Sequence, residues 1–392
     1  MSTRPLRIGI IGCGNVATSL HLPNWLAHPD VAQVVALADP AEATLEAARV
    51  TAGLTVDQVH SNALELIART DVDAVDICTP QHLRRDILVA SAKAGKHILC
   101  EKPLAAVPAD AAAAVAAAAE MGTTLAMVHN YLWLPEIQAA RRVIDSGEIG
   151  EVRSVIVNFL GVVDAPGASG NRADWRHDPA LAGGGVLIDM LHGVYIAELL
   201  LGAPLQRVSA YVDSSDTESY VEDIALCRFE TTTNAALVNI GWGLGSGGIE
   251  ISGTKGRISI RYQGGGTAPW APLEHVFVST AENSRTEVGA EHGDGHTQKT
   301  SSNFESFKHV ALDFEEAVRT GRAPKASGTD GQRILEATIG AYESAVTGQI
   351  VSIPLDRTDP AFQHGVLGVR QLELPEWSPV RRGALFTSET TN

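Results

Sequence analysis

Three small residues near the amino terminus have the spacing of a phosphate-binding turn. Gly12, Gly14 and Ala17 follow the β-rich run LRIGIIG and stand where a helix is expected to begin. Glycines at such a place allow a tight turn and a close approach of the backbone to a pyrophosphate, which the first N–H groups and the dipole of the helix then stabilise. The same spacing also occurs in simple turns, so its meaning depends on the neighbouring residues.

Asp39 gives this turn a more specific meaning. It closes the next β-rich run, VAQVVALAD, where a carboxylate can accept hydrogen bonds from an adenosine ribose. The residues that follow, PAEATLE, include no Arg or Lys to pair with a ribose phosphate, which favours NAD over NADP. With Asp39, the residues expected to bind the dinucleotide are those of the turn and of the helix start: Gly12, Cys13, Gly14, Asn15 and Val16.

A lysine stands at the mouth of another predicted strand, in the run HILCEKPLA. This residue, Lys102, directly follows Glu101. Open α/β sheets bind ligands just beyond the carboxyl ends of their strands, so Lys102 is expected to face the cofactor cleft. The alternative is an exposed surface pair of the lysine with Glu101.

Polar residues recur at intervals of three in the apolar segment GGGVLIDMLHGVYIAELLLG (183–202). The stretch 186–201 is apolar nearly all round, which predicts one buried helix. A carboxylate one turn before an imidazole can orient it and tune its proton affinity, whereas a hydrogen-bonded core network is the alternative. The polar strip, from which Asp189 and His192 are the candidate catalytic residues, consists of Asp189, His192, Tyr195 and Glu198.

Two further groups are weaker candidates. Trp175, Arg176 and His177 precede the triple glycine and either reach a substrate or only fix their own loop. The run EHGDGH would project three possible metal ligands to one side of an extended chain, but its glycine and acidic spacers and the lack of a fourth ligand nearby favour a solvated loop. No metal is therefore predicted at these three residues: His292, Asp294 and His296.

The glycine turn, Asp39 and Lys102 all lie within residues 6–128, where β-rich runs alternate with helical stretches. Further strands are predicted over AVDICT, HILCE and TTLAMV, and helices over ATLEAARVTAG, LRRDILVASAKAG and DAAAAVAAAAEMG. Alternating β and α segments predict a doubly wound parallel sheet of the Rossmann type.

After Asn130 one helix, PEIQAARRVIDSGEIG, precedes a series of strands joined by short turns such as GTKG. This order predicts an α+β domain with an antiparallel or mixed sheet. Residues 263–302 are expected to form an exposed excursion around the strand LEHVFVST, and two helices follow near 303–321 and 329–347. The predicted domains are 1–130 and 131–392. The predicted strands of the second domain are VRSVIVNFLGVV, QRVSAYVD, EDIALCRFE, AALVNIGWG, IEISGT and GRISIRY.

Composition excludes several kinds of partner. The 46 acidic and 30 basic side chains give a net charge of -16, which would repel nucleic acids and anionic membranes and favours a small-molecule partner. No segment has the apolar length of a membrane span, and the start of the chain lacks the features of a signal peptide, so a cytoplasmic protein is expected. The four cysteines have no paired metal or redox spacing, which predicts buried thiols.

Together these segments resemble the Gfo/Idh/MocA family, which includes glucose-fructose oxidoreductase, inositol dehydrogenases and rhizopine catabolism enzymes. The resemblance extends over about residues 5–355, and its EKP and GGG elements are far more specific than a dinucleotide turn alone. The landmarks, in the order of the family, are GIIGCGNVA, the acidic end of the second strand, TPQH, CEKPLA, SGEIGEV, GGGVLID, IEISGTKGRISI and DFEEAVRTGRAP.

The resemblance implies a Rossmann domain, a C-terminal domain with a large open, mostly antiparallel sheet, and a homodimer or homotetramer formed through that sheet. It also implies hydride exchange between a nicotinamide and a hydroxyl-bearing carbon of a sugar or cyclitol. By position, Lys102 is the EKP lysine that hydrogen-bonds the reacting oxygen, and Asp189 is the aspartate after the triple glycine. The other residues implied in cofactor binding are Thr79, Pro80, His82, Glu101 and Asn130.

The chain departs from the family at the histidine. Many members have it four residues after the aspartate, which is Gly193 here, whereas His192 is three residues after it. One residue turns a helical side chain by about 100°. His192 is therefore a hypothesis, and Tyr195 is a rival proton carrier. The residues expected to meet the substrate are Lys102, Trp175, Arg176, Asp189, His192 and Tyr195.

The leading hypothesis is an NAD-dependent enzyme that oxidises a secondary hydroxyl of a sugar, glycoside or cyclitol, or catalyses the reverse reduction. Lys102, close to a cationic nicotinamide, would exchange a proton with the hydroxyl, His192 would take or relay that proton, and Asp189 would orient the imidazole. One alternative is an NAD-dependent glycoside hydrolase or lyase that oxidises a ring carbon transiently and regenerates its cofactor. Another is a binding or regulatory subunit without turnover, which the EKP lysine and the buried polar strip argue against.

Overall fold

The chain folds into two compact units. The computed structural model describes residues 4–162, 174–214, 221–243, 247–262, 273–289 and 302–372. The first unit comprises Met1–Asn130 and Asn303–Gln332, and the second comprises Tyr131–Ser302 and Arg333–Asn392. The segment 303–332, which the division at residue 130 places in the second domain, thus belongs to the first unit.

The first unit is built on a parallel sheet, as predicted. Within the described residues the sheet has six strands in the order β3-β2-β1-β4-β5-β6. The order reverses direction on either side of β1, which is the arrangement of a doubly wound sheet with a ligand crevice at the carboxyl ends of its strands. The strands are β1 (Leu6–Ile11), β2 (Ala32–Ala38), β3 (Val59–His60), β4 (Ala74–Ile77), β5 (His97–Cys100) and β6 (Leu125–Met127).

Helices alternate with these strands. The helix Glu42–Ala52 ends at Gly53 and the alanine-rich helix Pro108–Met121 ends at Gly122, and both glycines are left-handed, as expected of glycine caps. A π-helical turn, Ala17–His21, lies after the glycine turn and was not predicted. The α-helices of this unit's first segment are α1 (Leu22–Ala27), α2 (Glu42–Ala52), α3 (Ala63–Ile67), α4 (Arg84–Lys93) and α5 (Pro108–Met121).

The second unit contains a mixed, mostly antiparallel sheet, which confirms the predicted class. Within the described part of the chain its nine strands have the order β14-β13-β12-β11-β7-β10-β9-β8-β15, and only β7 and β10 pair in parallel. The GTKG segment joins β11 to β12 as a hairpin. The strands are β7 (Val152–Val162), β8 (Arg207–Asp213), β9 (Ile224–Glu230), β10 (Ala235–Trp242), β11 (Gly247–Gly253), β12 (Gly256–Tyr262), β13 (Leu273–Thr280), β14 (Thr286–Val288) and β15 (Val351–Ser352).

The predicted continuous helix over residues 186–201 is wrong. The chain forms two helices, Val186–Asp189 and His192–Leu201, because the backbone leaves the α-region at Met190, with φ -107° and ψ 30°. An all-round apolar pattern predicts burial but carries no signal for such a break. Among the described residues no single helix is long and apolar enough to cross a membrane. The segments Pro179–Asp189 and His192–Leu201, bent by 47°, together reach the length and composition of a membrane span. Most residues of this pair are buried, as in the core of a folded domain.

The remaining helices complete both units. The helix near 303–321 begins at Ser302, and the helix near 329–347 begins at Gly328, so both predictions hold to within one or two residues. Two short helices lie in the tail to which the sequence assigned no structure. In chain order these helices are α6 (Pro135–Asp145), α7 (Pro179–Ala182), α8 (Val186–Asp189), α9 (His192–Leu201), α10 (Ser302–Thr320), α11 (Gly328–Thr347), α12 (Pro360–His364) and α13 (Val366–Val369).

Candidate active site

The glycine turn after β1 has a shape that only glycine allows at its first position. Gly12 has φ +91°, and a Cβ atom there would lie 2.9 Å from the backbone of Cys78 and Thr79. A Cβ atom on Gly14 would have no neighbour within 4 Å, so this residue borders open space. The helical segment that starts beside it has first-turn N–H groups without acceptors inside the helix. This arrangement suits the pyrophosphate of a dinucleotide.

The carboxylate of Asp39 braces the same turn. Its Oδ2 accepts the backbone N–H of Cys13 at 2.7 Å, and its Oδ1 accepts the N–H of Ala41 at 2.8 Å. Each carboxylate oxygen has a second lone pair, so Asp39 can still accept hydrogen bonds from ribose hydroxyls. The residue that the sequence assigned to the ribose therefore also holds the phosphate-binding turn in place.

The carboxyl ends of β4 and β5 are joined by a buried arginine that the sequence analysis missed. Arg84 donates to the carbonyl of Thr79 from Nε at 2.9 Å and from Nη2 at 2.7 Å. Its Nη1 donates to the carbonyls of Glu101 and Pro103. One guanidinium thus holds the TPQH and EKP segments, which carry the predicted nicotinamide-side residues, in a fixed relation.

Thr79 gives an independent sign that a ligand completes this edge of the sheet. Its hydroxyl oxygen is buried and has no hydrogen-bond partner within the described part of the chain. A buried polar atom without a partner costs about 1–3 kcal/mol, so such atoms are rare unless something else satisfies them. With the open space at Gly14, this hydroxyl shows that the first unit fits a bound dinucleotide.

The remaining predicted cofactor residues are each anchored within the first unit. Lys102 is half-buried, and its backbone N–H donates to Oε2 of Glu101 at 2.9 Å. His82 is half-buried in a 3₁₀ turn, and the amide of Asn130 donates to Oγ of Ser306 at 3.3 Å. The structure therefore places Glu101 and Lys102 at one strand end.

Behind Glu101 lies a buried polar cluster that sequence reasoning missed. His21 is fully buried; its Nδ1 lies 2.9 Å from Oδ2 of Asp76 and its Nε2 lies 3.0 Å from Oε1 of Glu101. Trp25 donates its indole N–H to Asp76 at 2.7 Å, and the Cys78 thiol lies 3.3 Å from Nδ1 of His21. The available sequence signal was Asp76 itself, because a charged residue inside a buried parallel strand needs partners.

In the second unit, the triple glycine is fitted around a buried carboxylate. Glu222 accepts the N–H of Gly185 and of Leu187, both at 2.9 Å, and the hydroxyl of Tyr342 at 2.6 Å. A Cβ atom on Gly185 would lie 2.4 Å from the Glu222 carbonyl, and one on Gly184 would lie 2.3 Å from the Tyr342 hydroxyl. Burial raises the pKa of Glu222 to about 7. The glycines are thus required by packing at the start of the Asp189 helix.

Asp189 is held by the loop that precedes the triple glycine. Arg176 donates to its Oδ1 at 2.7 Å, and the guanidinium of Arg176 lies 5.0 Å from the centre of the Trp175 ring. The ring of His177 lies 5.6 Å from that of Trp242. Of this predicted group, Arg176 therefore contacts a candidate catalytic residue directly.

His192 and Tyr195, which the sequence presented as rivals, are hydrogen-bonded to each other. Nδ1 of His192 lies 2.5 Å from the Tyr195 hydroxyl, which also accepts the backbone N–H of Tyr131 at 3.1 Å. The Tyr131 ring stacks on the imidazole, with ring centres 4.0 Å apart. Glu198, the last member of the polar strip, pairs instead with Arg333.

Gly193 faces the sheet and not the group formed by His192, Tyr195 and Tyr131. A Cβ atom there would lie 3.0 Å from Cγ1 of Val238 and 3.3 Å from Cδ1 of Ile240. A histidine at this position would therefore require Val238 and Ile240 of β10 to shift. The candidate metal residues His292, Asp294 and His296 lie outside the described residues.

The fold, the glycine turn with Lys102 in the first unit and the group around Asp189 and His192 in the second unit define the class of protein. It is an oxidoreductase in which a Rossmann domain binds a nicotinamide dinucleotide and a second domain carries an α+β sheet. A model of the oxidoreductase family with an NAD-binding Rossmann fold matches residues 6–129, and a model of the GFO/IDH/MocA C-terminal domain matches residues 137–259. The chain belongs to the Gfo/Idh/MocA family of oxidoreductases.

Individual relatives are dehydrogenases and reductases. The chain is 37% identical over 221 residues to the dTDP-3,4-didehydro-2,6-dideoxy-alpha-D-glucose 3-reductase of Streptomyces violaceoruber, a match that covers 55% of this chain and 60% of that protein. It is 26% identical over 367 residues to the inositol 2-dehydrogenase of Rhizobium meliloti, covering 89% of this chain and 99% of the relative. A levoglucosan dehydrogenase solved with NADH and levoglucosan shares the fold, with a TM-score of 0.78, 23% identity and coverage of 90% and 100%.

The raised pKa of Glu222 predicts a pH dependence of stability. The folded protein binds the proton of the Glu222 carboxyl group more tightly than the unfolded chain does. The stability that this proton contributes is therefore fully present below the ordinary glutamate pKa and is lost as pH rises through about 7. Glu222→Gln should therefore lower the melting temperature at about pH 5 but flatten its decline toward about pH 7.5, as measured by calorimetry. Glu282→Gln, at an exposed carboxylate, is the control and should keep the wild-type slope. Equal slopes in wild type and Glu222→Gln would contradict the assignment.

Proposed function

We propose that this protein is an NAD-dependent dehydrogenase that oxidises a secondary hydroxyl of a sugar, glycoside or cyclitol, or reduces the corresponding ketone. The observation that carries the proposal is the position of Lys102 at the carboxyl end of β5, in the same unit as the glycine turn and the unsatisfied Thr79 hydroxyl. The named relatives act on sugars and on inositol, which supports the substrate class.

The proposed chemistry moves one hydride and one proton. Bound NAD, held by the glycine turn, Asp39 and Thr79, supplies the acceptor for the hydride. The ε-amine of Lys102 hydrogen-bonds the reacting oxygen and removes its proton in the oxidation, so that the C–O bond becomes a carbonyl; in the reduction the ammonium returns the proton. Arg84 binds the carbonyls of Glu101 and Pro103, and the Glu101 carboxylate accepts the N–H of Lys102. These hydrogen bonds fix the backbone at Lys102 and thereby position its Cα atom.

His192 is proposed to receive or supply the same proton. Nδ1–H can donate to the Tyr195 hydroxyl oxygen in both the neutral ring and the imidazolium, so the contact persists in both protonation states and Nε2 is the nitrogen whose protonation changes. The proton exchanged with the substrate would then be carried on Nε2. Asp189, fixed by Arg176, is proposed to bind the substrate and to stabilise the charged imidazole.

NAD rather than NADP is the proposed cofactor. Asp39 directly follows β2, at the place where an acidic residue would hydrogen-bond the ribose of NAD, and its charge would repel the ribose phosphate of NADP. Its carboxylate also makes two backbone hydrogen bonds, so replacing it with a neutral residue weakens the turn as well as the ribose contact.

A homo-oligomer is also proposed, formed through the open face of the second unit's sheet. Tyr211, Leu226 and Leu237 lie on the neighbouring strands β8, β9 and β10 and are 38%, 39% and 44% exposed. Side chains of this kind favour association of copies of the chain.

The function is tested by incubating purified protein with NAD and a panel of free sugars, glycosides and inositols, while nicotinamide absorbance and product mass are followed. We expect NADH to accumulate in proportion to a product that has lost two hydrogens. Lys102→Met should reduce turnover by about 100-fold or more and keep NADH binding, because only proton transfer is lost.

Lys93→Met, an exposed lysine on α4 in the same unit, is the matched control and should retain full turnover. Full turnover in Lys102→Met would refute the role of this lysine. Cleavage of a glycoside without net NADH would instead identify an enzyme that recycles its cofactor.

The link between His192 and Tyr195 predicts graded losses. His192→Gln should lower kcat by about 100-fold, and Tyr195→Phe by roughly 5- to 10-fold, because one hydrogen bond that orients the imidazole is lost. Steady-state rates on the substrate found in the panel measure both. Thr320→Val removes another hydrogen-bonded hydroxyl, at the exposed end of α10, and should leave kcat unchanged. Near-normal turnover in His192→Gln would remove His192 from the mechanism.

Asp39→Ser should change cofactor preference. We expect NADH affinity to fall by about 10-fold or more, because a charged acceptor is lost, while the ratio of NADPH to NADH affinity rises. Fluorescence titration of both reduced dinucleotides measures this without a substrate. Glu42→Gln removes an exposed charge three residues away and should alter neither affinity; an unchanged ratio in Asp39→Ser would show that another residue selects the cofactor.

A further inference from the structure

A fully buried histidine lies between two carboxylates directly behind the EKP turn. The imidazole of His21 contacts Asp76 on one side and Glu101 on the other, at 2.9 Å and 3.0 Å. All three side chains are shielded from water, and the face of the imidazole packs against Phe307, with ring centres 4.3 Å apart. None of these contacts is explained by hydride transfer itself.

The geometry favours a charged imidazole. A neutral ring carries one N–H and would turn the lone pair of its other nitrogen toward a carboxylate, whereas the imidazolium donates to both carboxylates. Burial alone would lower the pKa of His21, but the Asp76 carboxylate raises it well above the ordinary value. The pKa of Glu101 is raised by burial but lowered overall by the hydrogen bond from His21. The two partners therefore stabilise each other's charged forms.

Glu101 passes this contact on to Lys102. Its Oε1 contacts His21, and its Oε2 accepts the backbone N–H of Lys102. Because the imidazole holds one oxygen of this carboxylate, the other oxygen is directed at the Lys102 backbone. The carbonyl of Glu101 is held by Arg84, so this turn is braced from two directions.

The same histidine is tied to the glycine turn through its own chain. His21 ends the π-helical turn Ala17–His21, which directly follows Asn15 and Val16 at the helix start. A π turn places an extra residue in one helical turn and rotates the side chains that follow, and such turns are frequent at functional sites. Here the π turn ends at the residue whose side chain reaches Asp76.

We infer that His21 is a positioning residue that, as a cation between Asp76 and Glu101, couples the dinucleotide-binding turn to the placement of Lys102. The inference rests on the proposed function, because it assigns to Lys102 the proton transfer described above. It differs from a metal site formed by His21, Asp76 and Cys78, whose ligand atoms lie within 4.8 Å of one another. A metal on Nδ1 would exclude the proton that faces Asp76.

The charge on His21 is tested without any substrate. In protein labelled with ¹⁵N-histidine, the signal assigned by its loss in His21→Gln should show both ring nitrogens protonated at about pH 7, above the ordinary histidine pKa. A neutral ring at about pH 7 would overturn the inference, as would one equivalent of zinc in the purified protein that is absent from the variant.

The positioning role is tested by kinetics on the substrate found in the panel. His21→Ala and His21→Gln should lower kcat by about 10-fold or more, with NADH affinity changed by less than about 3-fold, because the lysine is displaced while the turn can still bind. Added imidazole should restore part of the kcat of His21→Ala and none of that of His21→Gln, whose side chain fills the cavity.

Trp25→Phe is the matched control, since it removes a hydrogen bond to Asp76 but leaves the contact between His21 and Glu101. It should lower the melting temperature with little loss of kcat. An equal loss of kcat in Trp25→Phe, or full activity in both His21 variants, would reduce His21 to a structural residue and overturn the inference. Full turnover in Lys102→Met would refute the proposed function instead, and the NMR result on His21 is independent of it.

Discussion

The carboxylate of Asp76 places the strongest constraint on the first unit. It lies fully buried in β4, next to the central strand of a parallel sheet, where an isolated charge would be unstable. It is stabilised by donors from the segment after the glycine turn, His21 and Trp25. The path of this segment, and the position of Glu101 on the other side of His21, follow from the need to satisfy that one buried charge.

Both units use a carboxylate to hold a glycine-rich turn. Asp39 accepts an N–H from the turn at Gly12 to Gly14, and Glu222 accepts N–H groups from the triple glycine and the helix after it. Glycines permit the backbone to come close, but they also leave it flexible, so a fixed acceptor from a segment distant in sequence supplies the rigidity that the turn lacks. In each unit the held turn leads to residues assigned to cofactor binding or catalysis.

Local patterns allowed much of this structure to be predicted. Most strands of both sheets, the glycine turn and the acidic residue Asp39 after β2 follow from residue types at short spacing. The partners of Asp76 and Glu222 could not be predicted in this way, because the contacts join residues far apart in the chain.

Three further features also escaped prediction. The two-residue strands β3 and β15 are too short for a periodic pattern, and the break at Met190 lies in a segment that is buried on every side. The assignment of 303–332 to the first unit depends on tertiary packing, such as that of Gly328 and Gly331 against Leu125 and Met127. Amphipathic spacing identifies a helix but not the core that it joins.

The close packing of Gly193 has a consequence for how this chain can change. Moving the histidine from position 192 to position 193 takes more than the exchange of these two residues, because Val238 and Ile240 would have to shift to admit its side chain. The move would also break the contact with Tyr195 and the stacking with Tyr131. This arrangement and one with histidine at the next position are therefore separated by several simultaneous replacements, with intermediates that lose either the packing or the imidazole.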